Sequence, residues 1–198
     1  MSRRIDARRG SAPIDMRLLI VGGVLVLGAI VLVIVLLFGT GNGGALVGTR
    51  NVNEGAVHVG QNEIPTYQNV PATSGNHWNL GDGVAPVFWR VYTSPVPEAA
   101  VVHNLEHGGI VIWYQATATE QDVQALTQFV QQQLQTTDFK YVLSPWTGAD
   151  FGHPIAVTAW DWVLYLDTAD TEQIRAFRDD HPVSDAPEPG GGPAQGGG

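Results

Sequence analysis

The chemistry in this chain is concentrated in one string, His103-Asn104-Leu105-Glu106-His107-Gly108. Residues four apart share one face of a helix, and an even spacing also shares one face of a strand. The imidazoles of His103 and His107 can therefore converge on one ion under either backbone. Glu106 beside them is read as a residue that orients a ligand histidine from behind its ring, ahead of acting as a base or merely pairing with a donor. The string also matches H-x-x-E-H, the inverted zinc-peptidase motif, whose Glu is the general base. That mechanism needs a long helix and a further carboxylate from a second helix, whereas Gly108-Gly109 end any helix at once. A metal-dependent hydrolase therefore ranks behind a site that only holds an ion, and the chain is read as leaning away from enzymes.

Other chemistries are excluded or weakened by residue type. There is no cysteine, which removes disulfides, thiolate metal sites, covalent haem and dithiol redox chemistry. Both methionines, Met1 and Met16, stand near the N-terminus, so a metal site further on must use nitrogen and oxygen ligands. Thr73-Ser74-Gly75 lacks the G-x-S-x-G elbow of a serine hydrolase. The acidic residues are dispersed, without an EF-hand pattern. His153 and His181 both precede proline; His181 closes a helix, where a partial positive charge is favourable. Of the six Trp, Trp78 and Trp89 flank a long loop and are the candidates for a ligand groove, the others reading as core.

The elements that must position these residues follow from periodicity and end signals. Ala56–Val59 reads as a short strand, and Val70 to Pro86 is too rich in Pro, Gly and Asn for regular structure. Pro97–His107 reads as a short helix from Pro97, Glu98 and the closing Gly108, although Val101-Val102 favours a strand. Ile110–Tyr114 is a buried strand. Thr119 caps a helix over Glu120–Leu134, with its apolar stripe on Val123, Leu126, Phe129/Val130 and Leu134. Strands follow at Lys140–Ser144, Ile155–Trp160 and Trp162–Leu166, then a helix at Thr171–Asp180 capped by Asp170 and stopped by Pro182. This order predicts an α+β domain with a mixed sheet and its helices on one side. The folded domain is placed at 51–182, and the Pro/Gly-rich 183–198 reads as a disordered tail.

Charge supplies the address. The net charge is −9, yet five of the ten Lys/Arg lie in residues 1–17. From Gly39 onward five basic residues face seventeen acidic ones, a balance of −12. Between these parts, 18–38 carries no charge, and 18 of its 21 residues are apolar. Twenty-one helical residues span about 31 Å, the thickness of a bilayer core. The chain is therefore read as a single-pass plasma-membrane protein: a cytoplasmic basic segment at 1–17, a transmembrane helix at 18–38, a flexible tether at 39–50 and an extracytoplasmic domain. An acidic domain disfavours nucleic acid as a partner.

Taken together, Val57-His58-Val59, Pro71-Ala72-Thr73-Ser74-Gly75-Asn76-His77 and Val102-His103-Asn104-Leu105-Glu106-His107-Gly108-Gly109 resemble the successive signatures of the domain of unknown function 3105 family. Ser144-Pro145, Thr158-Ala159-Trp160 and Ala186-Pro187-Glu188 are similar to its later landmarks, so the resemblance covers roughly His58–Glu188. In the loop, Ala72 and Asn76 replace prolines common in that pattern. The resemblance implies a bacterial, often membrane-tethered protein with no established activity to inherit. It also implies that His58 and His77 join His103 and His107 as ligand candidates. Imidazole-rich sites without sulfur suit Cu(II), Zn(II) or Ni(II) rather than Cu(I). Cu(II) or Zn(II) is accordingly the expected cofactor, for handling or sensing. The competing expectation is a non-catalytic interaction module for an envelope protein, with a structural histidine cluster.

Overall fold

The computed structural model describes residues 46–196. The basic segment 1–17, the apolar segment 18–38 and the tether as far as residue 45 lie outside the described residues. Among the described residues no helix is long and apolar enough to cross a membrane.

The domain is α+β. In chain order its elements are β1 (Thr49–Arg50), β2 (His58–Val59), β3 (His77–Trp78), α1 (Glu98–Glu106), β4 (Ile110–Tyr114), α2 (Glu120–Gln133), β5 (Tyr141–Pro145), β6 (Ile155–Ala159), β7 (Trp162–Leu166) and α3 (Thr171–Asp180), followed by a 3₁₀ turn at Val183–Asp185. Five strands form one mixed sheet in the order β1-β7-β6-β4-β5. Only β4 and β5 run parallel, joined through α2, because a parallel pair needs a crossover. The remaining neighbours are antiparallel. A separate parallel pair, β2 with β3, sets His58 opposite His77.

Alternation along the strands sends apolar side chains to both faces of the sheet. Ile110 and Ile112 face α2 and α3, packing with Leu126, Phe129, Ile174 and Phe177. Val111 and Trp113 face the opposite way, onto α1 and the loop before it, with Val101, Leu105, Val87 and Trp89. The helices therefore lie on both sides of the sheet, which corrects the single side that the order of elements predicts. α1 departs because it is buried nearly all round, from Ala99 to Glu106, between the sheet and the long loop. A helix without a polar face carries no pattern that says which layer it joins.

End signals act as the sequence predicts for α2 and α3. Thr119 forms a reciprocal capping box with Asp122, and the Asp170 carboxylate accepts from the N–H groups of Glu172 and Gln173. α1 starts after Pro97 and closes at Gly108, whose φ of 76° is the left-handed conformation that ends a helix.

Both ends of the domain reach beyond 51–182. Upstream, Val47 N–H donates to Asp180, and Thr49–Arg50 pairs with β7, so the expected tether is already part of the fold at these residues. Downstream, residues 183–196 are not a free tail. Glu188 N–H donates to Glu106 O, and the Trp89 indole N–H donates to Pro193 O. Lys140 Nζ donates to the carbonyl oxygens of His107, Pro189 and Gly191. Composition alone reads such a segment as unable to fold, but donors supplied from elsewhere in the chain hold it.

Candidate metal centre

Three elements bring the site together. β2 carries His58, β3 at the end of the long loop carries His77, and the last turn of α1 carries His103 and Glu106. The loop is held at several points. Ala72 N–H donates to Glu98, the Ser74 hydroxyl accepts from Glu54 N–H, and Thr73 O accepts from Asp161 N–H. Asn104 on α1 pins the far end of the loop by bonding both N–H and C=O of Val87. Thr73 and Ser74 are fully buried, so the Thr-Ser-Gly string serves to shape the turn into His77.

The ring centroids of His58, His77 and His103 stand 4.8–4.9 Å from one another. Nε2 of His58 and Nε2 of His77 each lie 3.0 Å from Glu106 Oε2, and Nε2 of His103 lies 3.8 Å away. One potential ligand atom from each of these four residues falls within 4.8 Å of all the others. His77, His103 and Glu106 are buried, while the His58 side chain is 36% exposed. The group could hold a metal ion.

The far nitrogens determine what the near ones present. His77 Nδ1 lies 2.8 Å from Gly75 O, and His103 Nδ1 lies 2.8 Å from Trp78 O. A carbonyl oxygen only accepts, so both Nδ1 atoms carry the proton, which leaves Nε2 as the atom that can offer a lone pair. His77 Nε2 and Glu106 Oε2 are then two acceptors at 3.0 Å, a contact that needs a proton or a metal ion between them. Burial pushes His103 down to about 4, with the His107 and His77 rings acting in the same direction against the bond to Trp78 O. Near neutral pH this ring is uncharged, the state in which imidazole binds metals. The C-terminal end of α1 adds the partial negative charge of its carbonyls to the same place. At His58, Asn79 Nδ2 lies 3.3 Å from Nδ1. Turning that amide over puts Oδ1 there to accept from Nδ1–H, as a ring bound to a metal through Nε2 requires.

Two sequence-predicted roles change place. Glu106 is not behind the histidines; its carboxylate stands among their Nε2 atoms. His107 is not in the group with His58, His77 and His103. It is the C-cap of α1, and its N–H still bonds His103 O, so the four-residue spacing does set the two rings side by side. Its Nδ1 nevertheless turns to Glu188 O at 3.0 Å, with its ring 4.7 Å from that of His103.

Elsewhere, His153 bonds Asp167 and stacks on Tyr165, while His181 bonds Val47 O and stacks on Trp162; neither joins the cluster. Trp89 is buried beneath residues 191–193, and Trp78 donates to Glu63 O. Sequence reasoning does not find Asn79 or the carbonyls of Gly75 and Trp78, because nothing local marks a backbone oxygen as a partner for a particular ring.

A family model described as "Protein of unknown function (DUF3105)" matches residues 58–195, and the chain belongs to this family. The match runs from the first histidine of the cluster through the C-terminal segment that packs on α1. Neither a curated protein nor a solved structure matches the chain.

Proposed function

We propose that this member of the DUF3105 family binds one transition-metal ion through Nε2 of His58, His77 and His103 and the carboxylate of Glu106, for handling or sensing rather than catalysis. The observation that carries the reading is the 3.0 Å approach of His77 Nε2 to Glu106 Oε2 while Nδ1 of the same ring is bound to a carbonyl. Three imidazoles and one carboxylate suit Zn(II) or Cu(II). Four protein ligands give a closed coordination shell, which is the pattern of zinc sites that hold rather than react. With Glu106 in that shell, no carboxylate of the H-x-x-E-H string is left over as a general base. His58, the exposed ligand, is where an ion enters and leaves.

The proposed setting is the outer face of a bacterial plasma membrane, with 18–38 as the anchor and the basic 1–17 in the cytoplasm. It is supported by the uncharged apolar run and the charge asymmetry around it. The acidic field of the outer part attracts cations to its surface and repels nucleic acid. An envelope protein that exchanges the ion at His58 is the partner this reading implies.

The test is titration of Zn(II) and Cu(II) into the metal-free full chain in detergent. Saturable binding that disappears in His77→Ala and His103→Ala supports the proposal. Its absence, with the protein folded, leaves a structural cluster in an interaction module. Orientation is read separately, since the chain has no native cysteine. Thr147→Cys, at an exposed position, is expected to react with an impermeant maleimide in intact cells, and labelling only after lysis would reverse the topology.

A further inference from the structure

Glu106 belongs to two groups of metal-ligating atoms: the one formed with His58, His77 and His103, and a second formed with His107 and Glu188. Resting on the metal-binding reading above, we infer that Glu106 bridges two metal ions, the second held by His107 and Glu188.

A carboxylate has two oxygens, and Oε2 of Glu106 is taken up by the imidazoles of His58 and His77. The second ion uses the remaining coordination capacity of the same group, as carboxylates do in two-metal sites. In the second group, one atom each from Glu106, His107 and Glu188 lies within 4.8 Å of the others. Glu106 and His107 are buried there at 2% and 6% exposure. The two sites share a wall, since the rings of His103 and His107 are 4.7 Å apart.

Glu188 is not a loose surface acid. Its N–H donates to the backbone oxygen of Glu106, the residue with which it would share the ion. Its own carbonyl accepts from His107 Nδ1 at 3.0 Å, which leaves the lone pair of that ring on Nε2. Gly191 lies flat on the His107 ring, where a Cβ would come within 2.2 Å of Cε1 and Nδ1. Lys140 fastens the same segment through three carbonyl oxygens. The segment thus places an acidic side chain beside a buried imidazole and a buried carboxylate, 81 residues from His107 in sequence. One nitrogen and two carboxylates form a harder ligand set than the first site, so the second site has a smaller preference for Cu(II) over Zn(II) or Mn(II). It also binds more weakly, because Glu188 is 54% exposed and water fills the remaining positions.

The experiment is Zn(II) titration of the chelator-stripped full chain in detergent, with bound metal counted after desalting. Two ions per chain are expected for the wild type, and one for Glu188→Gln, whose exposed side chain can be changed without disturbing the core. His107→Ala is expected to retain one ion as well, while His77→Ala loses the tighter of the two. A wild type that binds a single ion, lost in His77→Ala but unaffected by Glu188→Gln, overturns the second site and leaves the first intact. Two ions retained in Glu188→Gln also overturn the assignment. No bound ion in the wild type overturns both readings.

Discussion

His77 presents Nε2 to Glu106 Oε2 at 3.0 Å while its Nδ1 is fixed 2.8 Å from Gly75 O, so the turn before β3 decides which nitrogen faces the carboxylate. The carboxylate in turn is the one negative charge among three imidazoles. Replacing Glu106 by Gln keeps the shape and removes that charge. Its effect on metal affinity is expected to exceed the roughly 10–100-fold loss typical of residues that only support a ligand, with Asn79→Ala falling inside that range. Competition against a chelator of known affinity measures both, and equal losses in the two variants would demote Glu106 to a supporting role.

Gly108 ends α1 immediately after the site residues, with φ of 76°, and a Cβ there would come within 2.9 Å of the Val183 backbone. Both features act against any side chain. Gly108→Ala is expected to cost about 1–3 kcal/mol in denaturant unfolding. An unchanged midpoint would mean that the turn tolerates a side chain.

The capping box of α2 should leave a pH signature. The Thr119 side chain, the Ala169 N–H and the Thr119 N–H bond the Asp122 carboxylate and hold it below the usual carboxylate range. With the folded-state value lowered, the contribution is present above the unfolded value and is lost as pH falls through the folded one. Thr119→Ala should cost about 1 kcal/mol near neutral pH. The stability gap between wild type and Asp122→Asn should narrow below about pH 4, and a gap that stays constant to pH 3 would contradict this.

A chain ending at residue 185 loses the acceptor for the Trp89 indole, which is 2.7 Å from Pro193 O, and two of the three carbonyls that hold Lys140. Removing the partner of the buried Trp89 donor costs on the order of 1–3 kcal/mol, and the losses at half-buried Lys140 add less. The shortened protein is therefore expected to melt several degrees lower, with tryptophan emission shifted to the red. Identical melting curves would return residues 186–198 to the status of a free tail.

Most elements of this domain were legible because their signals are local. The Thr119 and Asp170 caps, the apolar run Ile110–Tyr114 and the stop at Pro182 all act within a few residues, and the observed elements agree at these positions. α1 was ambiguous for a local reason too. Val101 and Val102 favour strands, and a helix buried all round shows no amphipathic stripe. The C-terminal segment reads as a free tail because its order depends on donors from Trp89 and Lys140, which no window over residues 183–196 contains.

The sequence by itself determined the residue chemistry of the site. Without cysteine, and with both methionines before residue 17, an ion in the described part can meet only nitrogen and oxygen, and the spacing in His103–His107 marks where to look. The tertiary structure decided which side chains meet. The parallel register of β2 and β3 sets His58 beside His77, the carboxylate of Glu106 stands among the imidazoles while His107 Nδ1 turns to Glu188 O, and the returning chain brings Glu188 within 4.8 Å of Glu106 and His107. These are contacts between segments up to 82 residues apart. They are fixed by packing and by hydrogen bonds to backbone carbonyls, which carry no identity in a sequence and acquire a role only when the chain is folded.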